Sequence, residues 1–145
     1  MERRELLKTG AALAAAAMSA AAVAADHDHH HHHGDKKFAA LAATVADCLQ
    51  TGEACLAHCL VLLGQGEKDM AACAQSVNQM LAICGALGKL AGQEAKYTAA
   101  MAKVAADVCA DCEKECRKHD KKHAECKACG DACAACLKEC KKAMA

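Results

Sequence analysis

Apolar and polar positions alternate along most of the chain with the period of an α-helix. Between residues 36 and 142 the apolar positions recur at steps of three and four, which at about 100° per residue places them on one helical face. Glycine interrupts the pattern at Gly64, Gly66 and Gly92, and a polar turn falls near residues 119–120. The pattern predicts four helices, at about 36–63, 67–91, 94–118 and 121–142.

One face of each predicted helix carries its cysteines. The fourth helix is the most regular, because its five cysteines follow one another at steps of three, four, three and four. Such sustained alternation is typical of the seam of a helical bundle, and short connections imply antiparallel neighbours. We therefore predict an all-α fold, an antiparallel up-down four-helix bundle with a cysteine-lined core. The predicted inward faces are Leu41, Val45, Cys48, Gly52, Cys55, Cys59 and Leu62 in the first helix, Met70, Cys73, Val77, Met80, Cys84 and Leu87 in the second, Met101, Ala105, Cys109, Cys112 and Cys116 in the third, and Cys126, Cys129, Cys133, Cys136 and Cys140 in the fourth.

Stacking these helices antiparallel predicts approximate layers of thiols along the bundle axis. Leu41, Val45 and Leu87 would close the end opposite the first layer with apolar side chains. The successive layers are Cys59, Cys73, Cys116 and Cys126, then Cys55, Cys112, Cys129 and Cys133 with Cys109 nearby, and then Cys48, Cys84, Cys136 and Cys140.

The composition limits how such a core can be filled. The chain has 145 residues, including 13 cysteines, no proline, one phenylalanine and one tyrosine. Alanine, leucine and cysteine must therefore fill the interior in place of aromatic rings, and the lack of proline favours long helices. Basic and acidic residues are equal in number, so nothing indicates a surface that binds nucleic acid.

Residues 1–25 have the pattern of an export signal. Arg3 and Arg4 precede an alanine-rich apolar run, and small residues at 22–25 offer a cleavage site. The alternative is a membrane anchor, but the run is short and weakly apolar. We expect a twin-arginine signal peptide, export by the twin-arginine translocase to the periplasm, and no stable membrane insertion after cleavage.

Residues 26–35 form a histidine-rich tail that we expect to be disordered. Its five adjacent histidines, His29 to His33, follow interleaved Asp and His residues behind the signal, unlike a terminal purification tag. Neutral imidazoles suit Cu(II), Ni(II) and Zn(II), so the tail is interpreted as a metal-capturing segment. The remaining residues, 36–145, form the predicted metal-binding bundle.

Several kinds of site compete for the thirteen cysteines. Disulfides within a helix are disfavoured, because Cβ atoms one turn apart are separated by about 5–6 Å and a disulfide needs about 3.5–4.5 Å; bridges between helices stay open. Cys129, Cys133 and Cys136 match a spacing of iron–sulfur proteins, but any helical stripe of cysteines generates it. Tetrahedral zinc needs four thiolates, which different helices could supply, although continuous stripes do not resemble discrete sites.

Cu(I) agrees best with continuous stripes of cysteine. This soft ion prefers thiolate and thioether ligands, and two ligands suffice to hold it. Buried thiolates need compensating charge, which monovalent cations would supply one for one. Free cysteine also serves as a small apolar core residue, but thirteen on inward faces are too many for that role. The sequence therefore predicts several Cu(I) ions per chain, bound by the thirteen cysteines.

A few other side chains are candidate ligands at one end of the bundle. Met70 precedes Cys73 on the second inward face, and His119 and His123 flank the turn between Cys116 and Cys126. Methionine is more often a gap-filler than a ligand, and surface histidines are common. We predict that Met70, His119 and His123 mark the entrance for the metal; the neighbouring His58 points about 100° away from Cys59.

The arrangement resembles the bacterial copper storage proteins. The resemblance rests on the third and fourth cysteine stripes together with Cys48, Cys55, Cys59, Cys73 and Cys84, and covers nearly all of the chain after the signal. It implies a cysteine-lined four-helix bundle, a homotetramer, Cu(I) held mainly by pairs of thiolates, and delivery to copper enzymes outside the cytoplasm. The twin-arginine pattern resembles the exported branch of the family; the histidine-rich tail is outside the family's pattern.

Two other classes of function stay open at this point. The pairs Cys109/Cys112 and Cys133/Cys136 are CxxC motifs, but no βαβ pattern surrounds them, which argues against a thioredoxin-like enzyme. No constellation of Ser, His and Asp indicates catalysis, so we predict a protein that is not an enzyme. A copper or zinc chaperone of low stoichiometry, or a metallothionein-like zinc protein, is the alternative to a store.

Overall fold

The computed structural model describes residues 36–145, and the predicted signal peptide and histidine-rich tail lie outside the described residues. Within the described part, four long helices follow one another, α1 (Ala39–Gly64), α2 (Ala71–Gly92), α3 (Thr98–Arg117) and α4 (Ala124–Ala143). A single 3₁₀ turn, Lys68–Met70, precedes α2. Residues 36–145 contain no strand, so the predicted all-α fold is confirmed.

The helices form a ring of four with a shared interior. Helix α1 packs against α2 and α4, and α3 packs against the same two helices, so each helix contacts its neighbours in sequence and the ring closes between α1 and α4. Connections of a few residues force consecutive helices to run antiparallel. This is the predicted up-down four-helix bundle.

The interior is lined by the helix faces that the recurrence of apolar residues at steps of three and four predicts. Every predicted inward residue of α1, of the 3₁₀ turn with α2, and of α4 is buried. In α3 the prediction for Met101 needs correction, because this side chain is only half-buried at the edge of the core while its neighbour Ala102 is fully buried. Alanine at this position lets α3 approach its neighbours more closely than methionine would.

The starts of α3 and α4 differ from the predicted boundaries. Glu94 has a φ of 49°, in the left-handed region, and the Ala95 N–H donates to the Leu90 carbonyl oxygen, which closes α2 with a turn. Helix α3 therefore begins at Thr98 and not near residue 94. Helix α4 begins three residues later than predicted, because His123 is extended and residues 119–122 form hydrogen-bonded turns.

Two glycines allow α1 and α2 to approach each other. A Cβ atom at Gly52 would lie 2.7 Å from Met80 Cε and 2.9 Å from Leu81 Cδ2, and one at Gly88 would lie 3.1 Å from Val45 Cγ1. These contacts explain why glycine occurs inside long helices that it otherwise destabilises.

Two helical segments are long and apolar enough to cross a membrane, namely Ala39–Gly64 and Lys68–Gly92. Core helices of bundles pass the same test, and both segments bury their cysteine faces against the other helices. Packing within the bundle therefore accounts for the apolar cysteine faces, whereas Leu60 and Val61 of the first segment stay exposed.

Candidate metal-binding core

All thirteen cysteines are free and completely buried. They come from all four helices, so their side chains converge on the bundle axis and contact one another. Four cross-helix pairs have Sγ atoms at contact distance, namely Cys84–Cys109 at 3.7 Å, Cys55–Cys126 and Cys73–Cys116 at 3.8 Å, and Cys112–Cys129 at 3.9 Å.

Four thiols meet at the end of the bundle where α1 ends and α4 begins. The Sγ atoms of Cys55, Cys59, Cys73 and Cys126 all lie within 4.8 Å of one another. Metal–thiolate bonds of about 2.3 Å separate two sulfurs by about 4.6 Å when collinear and by about 3.8 Å in a tetrahedron. The cluster can thus accept a metal ion with little movement of the backbone.

Three more clusters continue the line of thiols along the axis. Each has its sulfur atoms within 4.8 Å of one another, and the first three clusters share members, since Cys55 belongs to the first and second and Cys129 to the second and third. These clusters are Cys55, Cys116 and Cys129, then Cys112, Cys129 and Cys133, and then Cys48, Cys109 and Cys136.

The last thiols join the same network. Cys133 interacts with Cys48 and Cys109, which links the third cluster to the fourth. Beyond the fourth cluster, Cys84 contacts Cys109, and Cys140 lies 3.9 Å from Cys136. The thirteen thiols therefore form one continuous array, ordered as the predicted layers to within about one helical turn.

The two ends of the array differ. Leu41, Val45 and Leu87 are buried at one end together with Phe38 and Ala91, and close it with apolar side chains. At the other end Met70 is completely buried one turn before Cys73.

Histidines cluster at the surface of this second end. His123 is half-buried, and its Nδ1 lies 3.0 Å from Nε2 of His58. His119 is also half-buried, with its ring centroid 6.4 Å from that of His123. The structure thus brings His119 and His123 to the predicted entrance.

The match to known families decides between the possible metals. The family model described as "Copper storage protein" matches residues 34–145, which is most of the chain. The chain belongs to the copper storage protein family. No curated protein matches the chain.

Solved copper storage proteins share the fold. The apo form of copper storage protein 3 from Bacillus subtilis superposes with a TM-score of 0.66 at 25% identity, covering 74% of this chain and 99% of its own. A copper storage protein from Streptomyces lividans, solved loaded with 10 copper equivalents, gives 0.65 at 25% identity, covering 77% and 88%. A Cu(I)-bound copper storage protein at 24% identity gives 0.67 over 74% of this chain and 98% of its own, which supports the fold.

As in any buried thiol array, the pKa values of this copper storage protein's core are set by burial and by neighbouring sulfurs. Burial and the nearby Cys73 raise the pKa of Cys59 to about 11. The hydrogen bond with Cys55 favours the Cys126 thiolate, but the hydrogen bond with Cys73 and burial outweigh it and raise the pKa to about 12. These thiols at the Met70 end therefore stay protonated at neutral pH until a cation replaces the proton.

Other thiols of the core are more acidic. Hydrogen bonds, first from Cys133 and also from Cys48 and Cys84, lower the pKa of Cys109 to about 5. Hydrogen bonds, first with Cys112 and then with Cys116, lower the pKa of Cys129 well below its usual range. The thiolate forms of Cys109 and Cys129 are thus stabilised by surrounding S–H donors.

His58 has contacts with the start of α4 that helical periodicity does not reveal. Its helical position does point away from Cys59, as predicted, but this direction leads to His123 and Glu125 on α4. Periodicity describes faces within one helix, whereas this pairing depends on how α1 and α4 align. The shared location of His58, His119 and His123 at one end was the only available signal.

Proposed function

We propose that this chain binds and stores multiple Cu(I) ions through cysteine thiolates inside its bundle, for copper storage, detoxification or supply to exported copper enzymes. The observation that carries the proposal is the thiol array itself, in which three clusters share the sulfur atoms of Cys55 and Cys129 and a fourth cluster follows them. A site for a single ion needs two to four thiolates, whereas shared ligands permit many ions in a row. The ligands are the thirteen cysteines, with Met70 as an additional thioether.

The structure supports an entrance at the Met70 end. The opposite end is filled by leucine and valine, which offer no ligand to Cu(I). Neighbouring sulfurs within 4.8 Å allow an ion to exchange one thiolate while it remains bound to another. Ions would therefore move from Cys59, Cys73 and Cys126 inwards, with His119 and His123 at the mouth.

The test is a titration of the reduced full chain with Cu(I) in the absence of oxygen, against a chromophoric chelator of known affinity. Binding that continues to about ten or more ions per chain establishes a store, because only shared thiolates reach that number. Saturation at about three or fewer ions would overturn it and leave a chaperone. Replacing Cys84 by Ser removes a thiol far from the mouth and should lower the capacity by about one ion.

Zn(II) is an alternative to Cu(I) at one cluster of thiols. Cys55, Cys59, Cys73 and Cys126 supply four mutually close sulfurs, as tetrahedral zinc requires. A parallel titration with Zn(II) separates the two functions. A store should take up far more Cu(I) than Zn(II), whereas a zinc protein would hold a similar small number of either ion.

We propose that the chain is exported as a folded protein by the twin-arginine translocase and acts in the periplasm. The support is the Arg3–Arg4 pattern and the need to protect thirteen thiols from an oxidising compartment. Replacing both arginines by lysine should retain the protein in the cytoplasm, as measured by cell fractionation. Equal periplasmic amounts of both forms would refute this route.

We also propose a binding role without catalysis, and metal capture by the histidine-rich tail.

We further propose that the bundles form a homotetramer. Exposed apolar residues such as Leu60 and Val61, at 58% and 59% exposure, offer a surface for self-association. Light scattering coupled to size-exclusion chromatography measures the mass directly. A monomer at all protein concentrations would exclude the tetramer.

A further inference from the structure

The last residue of α3 has a side chain that contacts three other parts of the chain. Arg117 Nη1 donates to Asp131 Oδ1 of α4 at 2.7 Å, and Nη2 donates to Glu113 Oε1, one turn back in α3, at 3.2 Å. Nη1 also lies 3.8 Å from Asp120 Oδ2 in the turn between the two helices. One guanidinium group therefore joins α3, the turn and α4.

Asp131, the partner of Arg117 on α4, is held from a second side. Its other carboxylate oxygen, Oδ2, accepts a hydrogen bond from Lys127 Nζ at 2.7 Å, one turn earlier in α4. Both oxygens of the carboxylate are thus engaged, one by α4 itself and one by α3. The link between Arg117 and Asp131 is therefore part of a network of charges and not an isolated pair.

The backbone of α4 leaves room for the guanidinium group at Gly130. A Cβ atom there would lie 3.4 Å from Cζ and Nη1 of Arg117 and 3.4 Å from Cβ of Cys116. Gly130 is buried and directly follows Cys129. The ion pair therefore lies against the part of α3 and α4 that carries Cys116 and Cys129, whose sulfurs form one cluster with that of Cys55.

We propose that Arg117 is a positioning residue of the thiol array, which holds α3 against α4 and slows the removal of Cu(I) from the cluster of Cys55, Cys116 and Cys129. The proposal rests on Cu(I) storage and deepens it, because it assigns a role in storage to a residue that is not a ligand. The ion contacts sulfur, and Arg117 acts through the distance between the two helices.

The spacing of the sulfurs explains why the distance between α3 and α4 matters. Cys112 Sγ and Cys129 Sγ lie 3.9 Å apart across the two helices. Two thiolates share one metal ion at a separation of about 3.8–4.6 Å. An ion leaves only when its metal–sulfur bonds break in turn, and a thiolate that stays close re-forms its bond before the next one breaks. An ion pair that keeps the helices together therefore lowers the rate of removal.

Within residues 36–145, no other ion pair of a lysine or arginine joins two helices. Lys118, for example, pairs with Glu115 only three residues away, at 2.6 Å. Arg117 and Asp131 are 36% and 50% exposed, and exposed ion pairs contribute little to stability. Loss of Arg117 should thus leave the fold intact, and its effect should be measured in the kinetics of metal removal.

The first test follows the removal of Cu(I) from the reduced full chain in the absence of oxygen. Each protein is loaded to its own capacity, an excess of a chromophoric chelator is added, and the absorbance of the chelator complex is recorded over time. The variants are Arg117→Met and Asp131→Asn. Lys118→Met is the matched control, because it removes a neighbouring cation whose ion pair reaches no second helix.

Arg117→Met and Asp131→Asn should release Cu(I) about two- to five-fold faster than the unmodified chain and Lys118→Met. Arg117→Lys keeps the charge but not the forked geometry, so its rate should lie between those of Arg117→Met and the unmodified chain. Added salt should accelerate release from the unmodified chain more than from Arg117→Met, because salt screens an exposed ion pair. Equal release rates of Arg117→Met and Lys118→Met would overturn the proposal.

A second measurement separates the role of Arg117 from storage itself. The capacity of each protein, counted before the chelator is added, tests storage alone, since all variants carry the thirteen cysteines. In the metal-free protein, alkylation of Cys116 and Cys129 by iodoacetamide, mapped by mass spectrometry, should be about two- to five-fold faster in Arg117→Met than in Lys118→Met. Equal alkylation would refute the role of the ion pair whatever the capacity. Circular dichroism verifies folding, and Asp131→Asn gives the same comparison if Arg117→Met does not fold.

Discussion

Raising the pH should unfold the apo bundle and leave the Cu(I)-loaded bundle folded. In the unfolded chain a thiol ionises near its ordinary pKa of 9.0, but the pKa is raised to about 11 at Cys59 and about 12 at Cys126. Between pH 9 and 11 the folded apo state therefore holds protons that the unfolded state has lost. Stability falls with pH wherever the folded state binds more protons.

The magnitude follows from these two residues alone. Each such thiol costs up to about 1.4 kcal/mol of folding free energy per pH unit, so Cys59 and Cys126 together cost about 4 kcal/mol between pH 9 and 11. The total stability of a small domain is about 5–15 kcal/mol. Seven further thiols have raised pKa values and act in the same direction, namely Cys48, Cys55, Cys84, Cys112, Cys116, Cys133 and Cys140.

The assay is urea unfolding, monitored by circular dichroism, of reduced apo and Cu(I)-loaded protein at several pH values from 8 to 11. The loaded protein should show no alkaline loss, because its cysteines are already thiolates neutralised by metal. Replacing Cys59 and Cys126 by Ala should reduce the alkaline slope of the apo protein by about 2.7 kcal/mol per pH unit. If thiolate absorbance near 240 nm shows all thiols ionising around pH 9 with the helices intact, the reasoning is refuted.

Other predictions concern packing and metal release. Leu87→Ala should lower the free energy of unfolding by about 2–5 kcal/mol, since Leu87 is completely buried, and should leave the Cu(I) capacity unchanged. As a control, Val61→Ala, at a 59% exposed position, should change stability by less than about 0.5 kcal/mol. A lowered capacity of Leu87→Ala would show that the apolar end also shapes the metal sites. Gly85→Ala should stabilise the protein by up to about 1 kcal/mol, because nothing lies within 4 Å of the added methyl. Gly52→Val should destabilise it by about 1–3 kcal/mol, because the new side chain would clash with Met80. Equal effects of the two variants in denaturant unfolding would contradict the close approach of α1 and α2. Acid should release Cu(I), as protons compete for thiolates, so retention measured by chelator transfer should fall with pH; retention that does not change as the thiols protonate would argue against thiolate ligands.

The sequence predicts the buried faces well, because helical periodicity is a property of neighbouring residues. Residues such as Val45, Val77 and Cys133 could be assigned to the interior from spacing alone, and all are buried. The approximate thiol layers followed from connection length, since short connections force antiparallel helices. The assignment failed at Met101, where the choice between two adjacent positions depends on how closely α3 approaches its neighbours.

Two kinds of feature could not be predicted from the sequence, namely the backbone conformation of a connection and the alignment of two helices. The late start of α3 follows from the left-handed backbone of Glu94, a conformation that no turn residue at that position indicates. Sharing of Cys55 between two clusters requires the vertical offset between α1 and α4, which periodicity fixes only to about a turn. The same offset decides that His58 meets His123.

The apolar end at Leu41, Val45 and Leu87 has a consequence for the order in which contents leave the bundle. With the proposed single entrance at the Met70 end, ions at the apolar end would have arrived first and would leave only after those nearer the entrance had gone. If the protein were loaded with one copper isotope and then with a second, the second isotope would be removed before the first. Such a protein would hold a rapidly exchanged outer portion and an older inner reserve within a single fold.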